Sequence, residues 1–91
     1  MKTVYTDPAL DDLEEIRAYL VIHYPAVAPA VRYRIEEVVR RIALYPESVP
    51  RVEDRPDVRA ASLIRYPYKI FYRIEKKTIY ILHIHHSARS E

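Results

Sequence analysis

Hydrophobic and polar positions alternate along the stretch RYPYKIFYRI, from Arg65 to Ile74. One parity holds Tyr66, Tyr68, Ile70, Tyr72 and Ile74, and the other holds Lys69, Phe71 and Arg73. Successive side chains of a β-strand point to opposite faces of a sheet, so this pattern predicts a strand. One face of that strand is Tyr and Ile, and the other is basic with a single Phe.

Two earlier segments show the three- and four-residue spacing of amphipathic helices. The first begins at Asp7-Pro8, where aspartate can cap a helix and proline tolerates the first helical position. The second ends at Pro46, which stops a helix. The two apolar stripes are Leu10, Leu13, Ile16, Leu20 and Tyr24, then Ala28, Val31, Ile35, Val38, Ile42 and Tyr45. The short linker predicts an antiparallel hairpin whose helices cover a common surface.

The remaining segments predict a small antiparallel sheet. Residues 2–6 form a short strand, residues 46–57 a proline-rich loop, and residues 58–66, 68–75 and 78–86 three further strands. A two-residue turn at Lys76-Lys77 would place Ile74 opposite Ile79, Tyr72 opposite Ile81 and Ile70 opposite His83. The inner face would then hold Ile70, Tyr72, Ile74, Ile79 and Ile81. The predicted fold is α+β, with the N-terminal strand and helical hairpin packed on one face of the sheet, in a single domain of residues 1–91.

The opposite face of this predicted sheet has an unusual composition. The same register groups Phe71, Leu82 and Ile84, and surrounds them with Lys69, Arg73, Tyr80 and His86. A sheet covered by helices on one side normally exposes a polar second face. An apolar centre with a basic margin indicates a partner surface, unless the loop at 46–57 or the C-terminal tail covers it.

The composition excludes several classes of protein. The 91 residues contain no glycine, so glycine-rich phosphate-binding loops are absent and nucleotide enzymes built on them are not expected. They contain no cysteine, which excludes disulfides and thiolate metal sites and suits a reducing compartment. No apolar run approaches the length of a membrane span, and the N-terminus lacks an apolar signal core. A cytoplasmic protein without membrane contact is expected.

Basic residues concentrate in the C-terminal half, although the net charge is only +2. Residues 1–50 contain 6 Lys/Arg and 8 Asp/Glu, whereas residues 51–91 contain 9 and 5. This distribution favours an acidic partner for the second half, either nucleic acid or an acidic protein segment. Ordinary solvated surface charge is the alternative.

The last nine residues contain a cluster of His83, His85, His86 and Arg89. Two histidines could act as general base and acid around a phosphate, with Arg59, Arg65 and Arg89 stabilising the developing charge. His83 and His85 could instead provide two zinc ligands. Alternatively, His83 packs at the margin of the core and the others are solvated. Because no third ligand is evident, neither a metal nor another cofactor is expected.

The order of these elements resembles the ParE/RelE superfamily of bacterial type II toxin–antitoxin toxins. The resemblance rests on VRAASLIRYPYKIFYRI followed by IYILHIHHSAR, and on DPALDDLEEIRAYL for the first helix. In that superfamily an arginine enters the first sheet strand, a Tyr-x-Ile-x-Tyr-x-Ile strand follows, and the last strand ends in histidine with an arginine three residues later. Arg59, the strand Tyr68–Ile74, His86 and Arg89 occupy those positions.

The resemblance implies one of two activities. RelE-like members cleave mRNA in the ribosomal A site, and ParE-like members poison DNA gyrase without a nuclease site. The helical hairpin and the Tyr-rich strand are more ParE-like, and the chain lacks a terminal tyrosine. A ParE-like gyrase inhibitor is therefore expected, and a RelE-like ribosome-dependent endonuclease is the alternative.

The resemblance also implies partners and site residues. A cognate ParD-like antitoxin is expected to cover either the Phe71/Leu82/Ile84 patch or the outer surface of the helices, in a heterotetramer or larger complex. The expected binding residues are Lys69, Phe71, Arg73, Leu82, Ile84, His86 and Arg89. The alternative nuclease site would use Arg59, Arg65, His83, His86 and Arg89, together with the ribosome and mRNA.

Overall fold

A computed structural model describes residues 1–87, which form two helices and five strands in one sheet. Their order is β1 (Lys2–Tyr5), α1 (Asp7–His23), α2 (Ala28–Leu44), β2 (Arg51–Val52), β3 (Arg55–Ser62), β4 (Tyr68–Glu75) and β5 (Thr78–His86). The strand order across the sheet is β1-β5-β4-β3-β2. The predicted α+β architecture is confirmed. Three details differ: β1 pairs with β5 in parallel, the predicted loop at 46–57 contains β2 and the start of β3, and β3 ends at Ser62, before the predicted residue 66.

The first helix is capped by Thr6, one residue before the predicted Asp7. The Thr6 hydroxyl oxygen accepts a hydrogen bond from the Ala9 N–H at 3.3 Å, which satisfies one of the free donors of the first turn. The same hydroxyl lies 2.7 Å from the Ile81 carbonyl oxygen, to which it donates. Thr6 therefore joins the start of α1 to β5.

The two helices bury different shares of their apolar stripes. In α2 the stripe lies in the core, with Val31, Ile35, Val38, Val39 and Ile42 buried. In α1 only Ala9 and Leu20 are buried, and Leu10 and Tyr24 are about half exposed, at 49% and 55%. The stripe predicted for α1 thus contributes apolar side chains to the surface as well as to the core.

The predicted floor of the core is present on the helix side of the sheet. Ile70, Tyr72, Ile79 and Ile81 have no exposed surface, and Ile74 packs against them. Glu75 pairs with Thr78 and Ile74 with Ile79, as the two-residue turn requires. Lys76 and Lys77 both have positive φ, 51° and 65°, so this glycine-free chain places lysines in a backbone region that glycine usually occupies.

A bulge in β5 changes the predicted register beyond Tyr72. Phe71 pairs with His83 and Ile70 with Ile84, so Leu82 is the additional residue. A bulge inserts one residue and shifts the alternation of every later side chain. Ile84 therefore lies in the core, only 2% exposed. Its predicted place beside Phe71 on the outer face was wrong, because strict alternation does not hold through Leu82.

The helices have no membrane-spanning character. Within residues 1–87, neither helix is long and apolar enough to cross a membrane.

Candidate functional site

The face of the sheet opposite the helices, called the outer face below, carries a basic cavity. Lys69 and Phe71 of β4 pair with Ser62 and Ala60 of β3 on one side, and with His85 and His83 of β5 on the other. The cavity measures about 450 Å³. Its lining consists of Pro50, Arg51, Val52, Ala60, Ser62, Lys69, Phe71, His85, His86 and Ser87. We refer to it as the outer-face cavity.

Aromatic rings give the outer-face cavity an ordered floor. The rings of Phe71 and His85, which both line the cavity, have centroids 5.6 Å apart. The His86 ring instead meets the core residue Tyr68 edge to face at 5.5 Å. Such spacings are typical of favourable aromatic pairs. The cavity thus combines a half-buried apolar ring with the cationic Lys69, and the exposed residue Arg51 lies at its edge. This combination suits an acidic partner that also offers apolar or aromatic groups.

Arg73 belongs to a different part of the outer face. Its guanidinium lies 3.5 Å from the Glu75 carboxylate and 5.8 Å from the centroid of the Tyr80 ring. Both contacts are partly exposed, so the ion pair is weak in water. Arg73 does not line the outer-face cavity. Of the predicted binding residues, Lys69 and Phe71 line the cavity from the outer face, and Leu82 does not line it. His86 borders the cavity, but its predicted place on the outer face was wrong, because the bulge pairs it with the buried Tyr68.

Arg59 holds a loop on the helix side of the sheet. It pairs with the buried Tyr72 across β3 and β4. Its Nη1 donates to the carbonyl oxygens of Val49 at 2.7 Å and Glu47 at 3.3 Å. The Tyr72 hydroxyl donates to the Pro46 carbonyl oxygen at 2.6 Å. Together these bonds fasten the segment that follows α2 to the sheet.

The environment of Tyr72 affects its acidity. Burial raises the pKa of Tyr72 above its ordinary value of 10.0, because a buried phenolate would lose its hydration. The nearby positive charge of Arg59 opposes this increase in pKa but does not reverse it.

The residues of the alternative nuclease site are not brought together. Arg59 lies on the helix side, whereas His83 pairs with Phe71 on the outer face. Arg65 is exposed in the connection between β3 and β4, with a positive φ of 84°. Arg89, predicted for both sites, lies outside the described residues.

A second cluster forms where α1 meets the edge of β5. β1 pairs with β5 only as far as Ile81, so the edge beyond that residue faces α1. Asp12 occupies this edge, and its Oδ2 accepts the Ile84 N–H at 2.9 Å. The same oxygen lies 3.0 Å from Nδ1 of His83 and 3.8 Å from Nε2 of His85. The two imidazole centroids are 4.7 Å apart.

This cluster includes the third ligand that the sequence did not reveal. Asp12, His83 and His85 each offer one ligand atom, and all three atoms lie within 4.8 Å of one another. Asp12 is 71 residues from His83, so spacing alone cannot connect them. One signal was present: Asp12 lies three residues after Ala9 and four before Ile16, an acid on the stripe that faces the sheet.

Sequence reasoning also missed Arg51, which lines the outer-face cavity. It was assigned to a loop, but it pairs with Arg59 as part of β2. For Ile84, the signal was the spacing of the isoleucines in β5. Ile79, Ile81 and Ile84 are separated by two and then three residues, which is the pattern of a strand interrupted by a bulge.

An apolar groove runs between the two helices. It measures about 870 Å³, and we call it the interhelical groove. Its lining includes the exposed apolar side chains of Leu10, Val21 and Tyr33. Two ion pairs border it, Glu14 with Arg17 and Arg32 with Glu36. An exposed apolar groove with a charged rim is typical of a protein–protein interaction site.

Comparison with protein families identifies the chain. Residues 3–91 match the model of the family described as ParE toxin of type II toxin-antitoxin system, parDE. The chain belongs to this family. The ParE match covers nearly the whole sequence, including all the elements that build the outer-face cavity and the interhelical groove.

Solved structures agree with this assignment. A chain from the chromosomal ParDE toxin–antitoxin system of P. aeruginosa is 28% identical, with a TM-score of 0.81 over 94% of this chain and 95% of that one. The isolated E. coli RelE toxin is 16% identical, with a TM-score of 0.72 over 99% and 87%. A chain from the RelBE2 toxin–antitoxin complex of Mycobacterium tuberculosis is 24% identical, with a TM-score of 0.57 over 93% of this chain and 95% of that one. The last two likenesses show a shared fold. No curated protein sequence matches the chain.

Proposed function

We propose that residues 1–91 form one toxin domain that inhibits DNA gyrase in the cytoplasm and is neutralised by a ParD-like antitoxin. The observation that carries this proposal is the ParE family match over residues 3–91. The 28% identity to a chain of the P. aeruginosa ParDE system, at a TM-score of 0.81, supports the same branch. In this proposal the toxin acts by binding its target and carries out no proton transfer.

The outer-face cavity is the proposed target-binding surface. Lys69 and the neighbouring Arg51 supply positive charge, and Phe71 supplies a half-buried apolar ring. These groups suit an acidic protein segment or a DNA backbone held near the enzyme. The position of Arg59 supports binding over catalysis, because its guanidinium fastens a loop on the opposite side of the sheet.

The interhelical groove is the proposed antitoxin site. An antitoxin segment that folds on binding can bury apolar side chains along such a groove. The exposed Leu10, Val21 and Tyr33 provide the apolar contacts. Ile84 is unavailable to the antitoxin because it is in the core, so the alternative patch on the outer face retains only Phe71 and Leu82. Assembly into a heterotetramer or larger complex is part of this proposal.

One observation favours a second function, cleavage of mRNA on the ribosome. His85 and His86 line the same cavity as Arg51 and Lys69. Imidazoles beside cationic groups are suited to general acid–base cleavage of a phosphodiester. This function requires a histidine within hydrogen-bond reach of the proton it transfers, so replacing that histidine should reduce cleavage by about 10²–10⁴-fold.

Two parallel assays separate these functions. The purified protein is added to a gyrase supercoiling assay and to a ribosome-dependent mRNA cleavage assay. We expect inhibition of supercoiling and intact mRNA. Cleavage of mRNA with normal supercoiling would instead establish the RelE-like function. His86→Ala and Arg89→Ala are compared in both assays, and the binding proposal expects a graded loss from each.

Growth tests address the antitoxin. Expression of the chain alone should stop bacterial growth, and co-expression of a neighbouring antitoxin gene should restore it. Val21→Glu, in the interhelical groove, should keep its toxicity but escape neutralisation. Leu44→Glu is the matched control, since Leu44 is 72% exposed and does not line the groove. Full neutralisation of the Val21→Glu protein would place the antitoxin elsewhere.

A further inference from the structure

We propose that Asp12, His83 and His85 form a binding site for a divalent transition-metal ion, with Zn²⁺ the best match to its ligands. The site adjoins the outer-face cavity and shares His85 with it, whereas Asp12 and His83 do not line that cavity. A bound ion would connect α1 directly to β5. The proposal does not depend on which target the toxin inhibits.

The spacing of the three ligand atoms suits a tetrahedral ion. Zinc bonds of about 2.0–2.1 Å to imidazole nitrogen and carboxylate oxygen place neighbouring ligand atoms roughly 3.3 Å apart. Asp12 Oδ2 lies 3.0 Å from His83 Nδ1 and 3.8 Å from His85 Nε2. All three ligand atoms lie within 4.8 Å of one another, so binding an ion requires side-chain rotations that draw them together by about 1–1.5 Å at most.

The chemistry of the ligands selects the class of ion. Two imidazoles and one carboxylate suit zinc and its neighbours in the first transition row. Magnesium and calcium prefer sites built from oxygen ligands alone. The three protein ligands leave a fourth tetrahedral position for water. The His83 side chain is 41% exposed, so an ion can reach the site from solvent.

The backbone around the site holds two of the ligands in place. His83 and His85 lie on β5 and pair with β4 through Phe71 and Lys69, so their backbone positions are fixed by the sheet. Asp12 is positioned by its hydrogen bond from the Ile84 N–H. A carboxylate oxygen has two lone pairs, so Oδ2 can keep this bond through one lone pair and bind an ion through the other.

The test measures metal binding and thermal stability in protein without a histidine tag. Calorimetry with ZnCl₂ should show one ion bound per chain. At a zinc concentration about 100-fold above the dissociation constant, the melting temperature should rise by roughly 10–20 °C. The same concentration of MgCl₂ should leave it unchanged. Co²⁺ should give the visible absorption of a four-coordinate ion with nitrogen and oxygen ligands.

Matched variants identify the ligands. Asp12→Asn keeps an oxygen that can accept the Ile84 N–H but removes the carboxylate, and His85→Gln removes one imidazole. Each should weaken zinc binding by at least the roughly 10–100-fold that loss of an outer-shell partner costs. The control is His23→Gln, at the far end of α1, which should bind zinc like the wild type.

Two results would overturn the proposal. One is a zinc-induced rise in melting temperature that survives unchanged in both Asp12→Asn and His85→Gln. The other is the absence of stoichiometric zinc binding and of the Co²⁺ absorption in the wild-type protein. The second result needs no variant, so it decides the matter even if a substitution prevents folding.

Discussion

The two faces of the sheet are formed by the same strands, but they differ in what determines their side chains. On the helix side Ile70, Tyr72 and Ile81 have no exposed surface, and all three belong to the core cluster that includes buried residues of both helices. On the outer face Lys69 and Phe71 are half-buried and line an open cavity. Burial specifies the first face, whereas we propose that binding of a partner specifies the second. Substitutions on the first should therefore change stability, and substitutions on the second should change activity.

The largest effect is expected for Ile81→Ala. Removing a fully buried isoleucine side chain should lower the free energy of unfolding by about 2–5 kcal/mol, because it loses apolar burial and leaves a cavity. Total stability is typically about 5–15 kcal/mol, so the variant is expected to be marginally folded. Urea denaturation followed by circular dichroism measures the change. The control is Ile64→Ala, at a 61% exposed position, where a loss as large would contradict this account of the core.

A smaller loss of stability is expected for Arg59→Ala. The guanidinium donates to two backbone carbonyls after α2, so its removal should cost about 1–3 kcal/mol. Arg55→Ala, at an exposed position on the same strand, should change stability by less than about 0.5 kcal/mol. Urea denaturation compares the two variants. If Arg59→Ala abolished toxicity without lowering stability, Arg59 would belong to the functional site. The assignment of stability to the helix side and activity to the outer face would then be wrong.

Tyr72→Phe should have a still smaller effect, and one that depends on pH. Losing the hydrogen bond to the Pro46 carbonyl should cost about 0.5–1.5 kcal/mol near neutral pH. The pKa of Tyr72 is raised in the folded state, so its neutral form is favoured there. The folded state therefore holds its proton longer than the unfolded state, and this contribution to stability is complete below about pH 10 and decreases above it.

The pH dependence is measured as the difference between wild type and Tyr72→Phe. Wild-type stability should decline more steeply above pH 10, so the two unfolding free energies should converge there. Burial also raises the pKa of Tyr5, but Tyr5 is present in both proteins and cancels in the difference. A constant difference up to pH 11 would show that Tyr72 titrates alike in the folded and unfolded states.

The sequence predicted the helix side of the sheet more completely than the outer face. The alternation in β4 predicted the buried Ile70 and Tyr72, because only one orientation of the strand turns its more apolar parity toward the core. The two-residue turn at Lys76-Lys77 was predicted even without glycine. Ile84 was placed wrongly, because a bulge at Leu82 shifts the alternation and only the odd spacing of the isoleucines indicates it.

The outer site could be predicted only in part. Lys69 and Phe71 followed from the parity of β4, so the strand pattern was enough to place them together. Arg51 could not be placed, because β2 has only two residues and no periodicity. Asp12 reaches His83 through tertiary packing across 71 residues, and no local pattern records such a contact.

The smallest effect on stability is expected for Lys69→Ala, and this variant tests whether the outer face binds the target. A surface charge away from the core should change the free energy of unfolding by less than about 0.5 kcal/mol. Inhibition of the target should nevertheless weaken by roughly two- to fivefold, the range of an exposed ion pair. The loss should shrink at high salt, since screening removes the same attraction in the wild type.

Lys2→Ala is the control, because Lys2 is exposed on β1 and does not line the outer-face cavity. Dose–response curves at two salt concentrations, with melting temperatures for each protein, separate the two effects. Equal inhibition by wild type, Lys69→Ala and the double variant Arg51→Ala/Lys69→Ala would mean that the target binds elsewhere, and the interhelical groove would then have to serve both target and antitoxin.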